Sequence, residues 1–123
     1  MRRSEFREKV VSLLYIKLVE GNFDVLEYEK EVLQRYDDIL SNSELIDSII
    51  SANLVRYTID RLNLVDLAII RNSVFEMKFT KLPHEIAINE AINLTKRLSN
   101  LDDDAAKRFN NKLLDNISKS ILK

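Results

Sequence analysis

Leu64-Val65-Asp66-Leu67-Ala68-Ile69-Ile70-Arg71-Asn72-Ser73-Val74-Phe75-Glu76-Met77 is the most apolar segment of the chain. Its apolar residues fall on most sides of a helix rather than along one stripe, and a helix of that kind is buried against several neighbours. The segment therefore predicts a central helix, with Asn63 or a neighbour as its starting cap. Asp66, Arg71 and Glu76 interrupt it, and each must reach solvent, pair, or serve a partner.

Narrower apolar stripes flank this segment on both sides. Phe6, Val10, Leu13, Leu14 and Leu18 recur at three and four residues and predict a helix from Arg3 to about Glu20, closed by the lone glycine, Gly21, in the left-handed conformation. Asp24 can cap a second helix running to about Leu40, which would bury Val25, Val32, Leu33, Tyr36 and Ile39. Ser41 and Glu44 have capping-box spacing and predict a third helix through Ile46, Ile50, Leu54 and Tyr57. Pro83, the only proline, suits the first turn of a helix reaching about Leu98. The last helix follows Asp102, Asp103 and Asp104, whose charges complement a helix start, and buries Phe109, Leu113, Ile117 and Ile121. Leu64, Ala68, Ile69, Ala91, Ile92, Leu113 and Ile117 are the expected core.

One glycine and one proline in 123 residues leave few signals for β-turns. The expected fold is all-α, a compact bundle of about six to seven helices forming a single domain over residues 1–123. No cysteine is present, which removes disulfides and thiolate metal ligands and fits a reducing, cytoplasmic setting. No apolar run approaches the roughly 18 residues that a membrane span requires.

The composition argues against an enzyme. With no cysteine, one histidine and no glycine-rich phosphate loop, the common nucleophile, metal and nucleotide constellations cannot be assembled, and no cofactor is expected. His84 lacks a second ligand three or four residues on, where Ala87 and Ile88 stand, and reads as a solvated histidine. The three adjacent aspartates do not converge on a cation.

A net charge of -1 conceals a strong asymmetry. Residues 1–19 hold five basic and two acidic groups, residues 20–47 two basic and nine acidic, and residues 96–123 seven basic and four acidic. Two basic ends flank an acidic segment, and brought together they would make one phosphate-attracting face. Arg2, Arg3, Arg7 and Lys9 supply one end, with Arg3 and Arg7 on one helical side; Lys107, Arg108 and Lys112 supply the other. Phe109 beside Lys107 and Arg108 can stack a splayed base, or it can belong to the core stripe with Leu113 and Ile117. Residue chemistry alone leaves solvated charge and nucleic-acid contact both open.

The order of short motifs is more specific. Arg61-Leu62-Asn63-Leu64-Val65-Asp66-Leu67-Ala68-Ile69-Ile70-Arg71, a short proline-bearing linker, Ile86-Ala87-Ile88-Asn89-Glu90-Ala91, and Arg108-Phe109-Asn110-Asn111-Lys112-Leu113-Leu114-Asp115 follow one another. This resembles the NusB family, whose pattern runs W-x-x-x-R-L-x-x-V-D-x-A-I-L-R, then V-A-I-N-E-A, then K-F-x-N-G-x-L-D. Tyr57 stands at the tryptophan position, and Arg3, Arg7-Glu8 and Leu14-Tyr15 match the N-terminal R-x-x-x-R-E…L-Y pattern. Residues 20–55 carry none of the likeness.

The resemblance implies an antitermination factor without catalytic activity. It implies binding of single-stranded boxA RNA in nascent ribosomal RNA, pairing with the small-subunit ribosomal protein NusE, and entry into an RNA polymerase antitermination complex. Carried over, the RNA-binding set is Arg2, Arg3, Arg7, Tyr15, Lys107, Arg108, Phe109, Asn111 and Lys112, with the two basic ends on one surface; Asp60 and Asp66 would face the protein partner. The free protein is left open as monomer or homodimer. Lys112 replaces the family glycine, Ala106 a serine, and Phe6 and Val10 two alanines, which points to weaker RNA affinity than is usual for the family. Two alternatives accompany this reading. One is the NusB-like RNA-binding domain of an rRNA cytosine methyltransferase, which needs a longer chain with an S-adenosylmethionine fold; the other is a helical scaffold that binds only protein through its acidic segment.

Overall fold

A computed structural model describes residues 1–99 and 104–122. Among them are six α-helices and no strand: α1 (Arg3–Leu18), α2 (Lys30–Ser41), α3 (Ser43–Ala52), α4 (Leu64–Phe79), α5 (His84–Leu98) and α6 (Ala105–Ile121). Single 3₁₀ turns at Val25–Glu27 and Ile59–Arg61 lie in the connections before α2 and α4.

The apolar segment forms α4, the element against which each other helix packs. Residues 66–70 and 72–77 are all buried, so α4 fills the centre as its all-round apolar character requires. Asn63 caps it, its side-chain oxygen accepting from the Val65 and Asp66 amides. Ala68, Ile69, Ala91, Leu113 and Ile117 are buried as expected. Ile92 is only partly buried, and Leu64 is 40% exposed, because it occupies the first position of α4, outside the layer of neighbouring helices.

Five local expectations are corrected. The left-handed residue after α1 is Glu20 (φ 57°), not Gly21. The Gly21 amide donates to Ile16 O at 2.9 Å and the Glu20 amide to Lys17 O at 3.2 Å, a paired closure that puts the special conformation one residue earlier. Glycine serves there through close approach, since a Cβ would lie 3.2 Å from Ile16 Cγ2. Asp24 does cap, accepting from the Leu26 amide, but it opens only the Val25–Glu27 turn. Tyr28 and Glu29 are then extended, with the Tyr28 ring against Phe23 at 5.6 Å, so α2 starts at Lys30 and Val25 stays exposed.

Ser41 ends α2 instead of capping α3. Asn42 precedes α3 and makes no side-chain cap bond; its side-chain amide donates back to Asp38 O at 2.8 Å. α3 stops at Ala52, where Asn53 Nδ2 takes up the Ile49 carbonyl, leaving Leu54 and Tyr57 in a loop that contains Arg56 at φ 68°. His84, expected in water, is half-buried between α4 and α6. Its Nε2 meets the Met77 carbonyl at 3.1 Å and must donate there, so the neutral ring accepts at Nδ1 from the Ser118 hydroxyl at 2.7 Å. Of the three aspartates before α6, Asp104 pairs with Lys107 at 3.9 Å, and Asp102 and Asp103 lie outside the described residues.

Candidate nucleic-acid interface

Two polar contacts fix how α5 and α6 run. His84 reaches Ser118 at one end, and Thr95 Oγ1 accepts from Asn110 Nδ2 at 3.1 Å toward the other, so the helices are antiparallel. α1 runs alongside α5 in the same sense: Arg7 Nη1 lies 3.9 Å from Glu90, and Tyr15 shares a groove with Leu98. Arg3 lines a pocket with Lys81 and Pro83, at the start of α5. Arg3 and the start of α6 therefore sit at opposite ends of α5, a separation of about 20 Å at 1.5 Å per residue. Arg3 and Arg7, expected on one surface with Lys107 and Arg108, are set apart from them along α5 rather than side by side. Tyr15, exposed, stands at the α6 end instead.

Arg7 does not face solvent. It is 4% exposed and its Nε donates to both Glu76 carboxylate oxygens at 3.0 Å, with Nη2 also 3.0 Å from Oε2. Asn72 Nδ2 adds a bond to the same carboxylate at 3.2 Å. Lys9 is likewise engaged, donating to both Glu29 oxygens at 3.0 and 2.8 Å; that bond raises the lysine pKa and lowers that of the glutamate. Arg2 and Arg3 remain exposed.

The first turns of α6 keep the remaining candidates together. Arg108, Asn111 and Lys112 are exposed at positions three and four apart, on one side of the helix. Lys107 is half-buried. Phe109 packs against the core, and its ring stands edge-on to the exposed Tyr57 at 5.8 Å and 79°. Beside it lies a groove of about 300 Å³ walled by Leu54, Val55, Lys112, Leu113 and two amides, Asn53 and Asn116. One cation, one aromatic and two amides line the groove, the kinds of group that grip an unstacked base and its phosphate.

Tyr57 stands out in the sequence only as a family position; its partnership with Phe109 spans 52 residues and leaves no local signal. Arg35 carries no sequence signal at all. It sits in the acidic segment, yet its guanidinium lies 5.3 Å from the Phe6 ring centroid and 5.0 Å from that of Phe75. Burial pulls its pKa below the ordinary value.

The two acidic candidates separate. Asp60 is exposed in the Ile59–Arg61 turn, where a hydrogen bond from Thr58 holds its pKa below the ordinary carboxylate range. Asp66 is 7% exposed and accepts from Asn110 Nδ2 at 3.2 Å, tying α4 to α6. Burial pushes its pKa up, partly opposed by that bond. The contact that Asp66 makes among the described residues is within the fold.

The sequence matches the NusB family over residues 6–119. The chain belongs to the NusB family. It is 36% identical to the transcription antitermination protein NusB of Listeria innocua, over 96% of this chain and 97% of that one, and 32% identical to that of Bacillus thuringiensis, over 98% and 100%. Among solved structures it is similar to T. maritima NusB, with a TM-score of 0.83, 26% identity, and coverage of 97% of this chain and 92% of that one. It is also similar to a chain in the crystal structure of a plectonemic RNA supercoil, with a TM-score of 0.85, 27% identity, and coverage of 100% and 99%. As a member of the NusB family it is a transcription antitermination protein, not an enzyme. No helix among the described residues is long and apolar enough to cross a membrane.

Proposed function

We propose that this NusB-family protein binds single-stranded boxA-type RNA through the exposed side of α6, in concert with the ribosomal protein NusE and the RNA polymerase antitermination complex, in the cytoplasm. The observation that carries the reading is the grouping of Arg108, Asn111 and Lys112 beside the Phe109–Tyr57 pair, with Tyr15 at the same end. Arg108 and Lys112 hold phosphates, Phe109 and Tyr57 offer faces to unstacked bases, and Asn111 supplies an edge contact. Lys107 adds positive field in the first turn of α6. Arg2 and Arg3 contribute phosphate contacts at the far end of α5, and Arg7 acts as a structural residue behind them. The family glycine's place is taken by Lys112, which exchanges a close backbone approach for a charge. Asp60 is the exposed acid suited to a basic protein partner; Asp66 acts on that surface only by positioning α6.

Titrating a boxA-like single-stranded RNA with and without NusE, over a range of salt, tests this. Arg108→Ala and Lys112→Ala should each weaken binding and reduce the salt slope by about 0.7, one phosphate contact apiece. Unchanged affinity and slope in both variants would remove α6 from the interface. A scaffold binding only protein would show no salt-dependent RNA affinity at all.

A further inference from the structure

At the opposite end of α5 from the α6 groove, Arg3, Arg7, Arg35 and Lys81 converge on a pocket of about 430 Å³. Glu76 is the one carboxylate among the described residues of its wall, and Arg7 and Asn72 already engage it. Arg3, Arg35 and Lys81 form no ion pair among the described residues. Arg35 is held in place by Phe6 and Phe75, and its Nη1, fully buried, finds no hydrogen-bond partner among the described residues. Glu76 and Asp38 offset part of the Arg35 charge, but cations outnumber carboxylates around the hollow, and the surplus positive field favours an anion there.

We propose that this pocket binds a terminal phosphate group, such as the end of a diphosphate or a 5′-phosphate. A terminal phosphate carries close to two negative charges at neutral pH and three strong acceptor oxygens, which suits Lys81, Arg3 and the charge of the Arg35 guanidinium together. It has one substituent, so it can enter a concave pocket to the depth of Arg35. An internal phosphodiester has a single charge and two substituents, and lies along a surface such as that of α6. Three elements contribute, since Arg3 comes from α1, Arg35 from α2 and Lys81 from the linker between α4 and α5, so the site exists only in the folded chain.

The test is isothermal titration of the whole protein with pyrophosphate at constant ionic strength. Saturable binding is expected, weakened about tenfold or more by Lys81→Ala and by Arg35→Gln, the loss typical of one charge-assisted contact. Lys17→Ala, far along α1, should leave it unchanged. Lys81 lies on an exposed linker, so its variant keeps the fold even if Arg35→Gln does not. Two oligonucleotides of one sequence, with 5′-phosphate and 5′-hydroxyl ends, distinguish the sources. A 5′-phosphate preference that disappears in Lys81→Ala assigns the pocket to an RNA end; pyrophosphate binding without that preference assigns it to a free diphosphate-type ligand. No saturable pyrophosphate binding, or binding equal in wild type and Lys81→Ala, overturns the proposal.

Discussion

Glu76 and Asp66 are both buried on α4, and their partners give them opposite consequences. Glu76 receives the Arg7 guanidinium and the Asn72 amide, so Arg7→Ala leaves a buried carboxylate without its cation. That change should cost about 3 to 5 kcal/mol of stability in urea melts. A loss of RNA affinity with stability intact would instead return Arg7 to the interface. Asp66 has only the Asn110 amide, and burial raises its pKa. Its proton is held more tightly folded than unfolded, so its contribution is present at pH below the unfolded carboxylate pKa and is lost as pH rises through the raised folded value. Asp66→Asn should therefore match or exceed wild-type stability at neutral pH, with the advantage shrinking as pH falls through the carboxylate range. The introduced amide can also donate to Asn110 Oδ1, which is buried and has no partner among the described residues. An Asp66→Asn variant that is less stable than wild type at pH 7, measured by denaturant unfolding, would refute this account. Asp66→Lys should damage the fold itself. Neither outcome is readable from spacing: the i, i+4 rule puts Arg3 and Arg7 on one side of α1, but the partner that buries Arg7 is 69 residues away.

At the scale of elements, the sequence was most legible where an apolar pattern ran long. α4 and α6 follow their stripes and α1 begins where its stripe does, because burial of many apolar residues outweighs any single polar exception. Legibility failed at the ends and in the connections. Ser41 and Glu44 have the spacing of a capping box, yet α2 extends through Ser41 and the Asn42 side chain turns back to Asp38. Leu54 and Tyr57 continue the stripe of α3 on paper, but the chain leaves the helix at Asn53 so that Tyr57 can meet Phe109. Position within α4 gives a sharp contrast. Ile69→Ala, at 1% exposure, should cost about 2 to 5 kcal/mol, whereas Leu64→Ala, in the exposed first turn, should stay within about 0.5 kcal/mol. Equal costs in thermal or chemical melts would mean that α4 is not the central element.

Across the whole molecule, charge asymmetry was legible as two basic ends, but their placement was not. Sequence alone brings N- and C-terminal charges together by attraction to a common polyanion; the fold separates them, because α1 runs with α5 while α6 runs against it. The acidic stretch also turns out to be partly spent within the fold, Glu29 on Lys9 and Asp47 on Arg71 through a two-bonded pair at 2.9 and 2.8 Å. RNA length should therefore decide which arginines matter. A short oligonucleotide confined to the α6 groove should lose affinity in Arg108→Ala and remain indifferent to Arg3→Ala. A longer strand reaching both ends of α5 should respond to each, and the two free-energy losses should add, since sites about 20 Å apart with no shared partner do not couple. Phe109→Ala behaves differently from either. Its ring serves the core and the groove at once, so it should lower the melting temperature and also remove about 1 to 3 kcal/mol of RNA binding with little change in salt slope. Tyr57→Ala takes away only the exposed half of that pair, and should weaken RNA binding while sparing most of the stability. If Tyr57→Ala leaves RNA affinity unaltered, the aromatic pair is a packing device and the α6 surface holds RNA by charge alone.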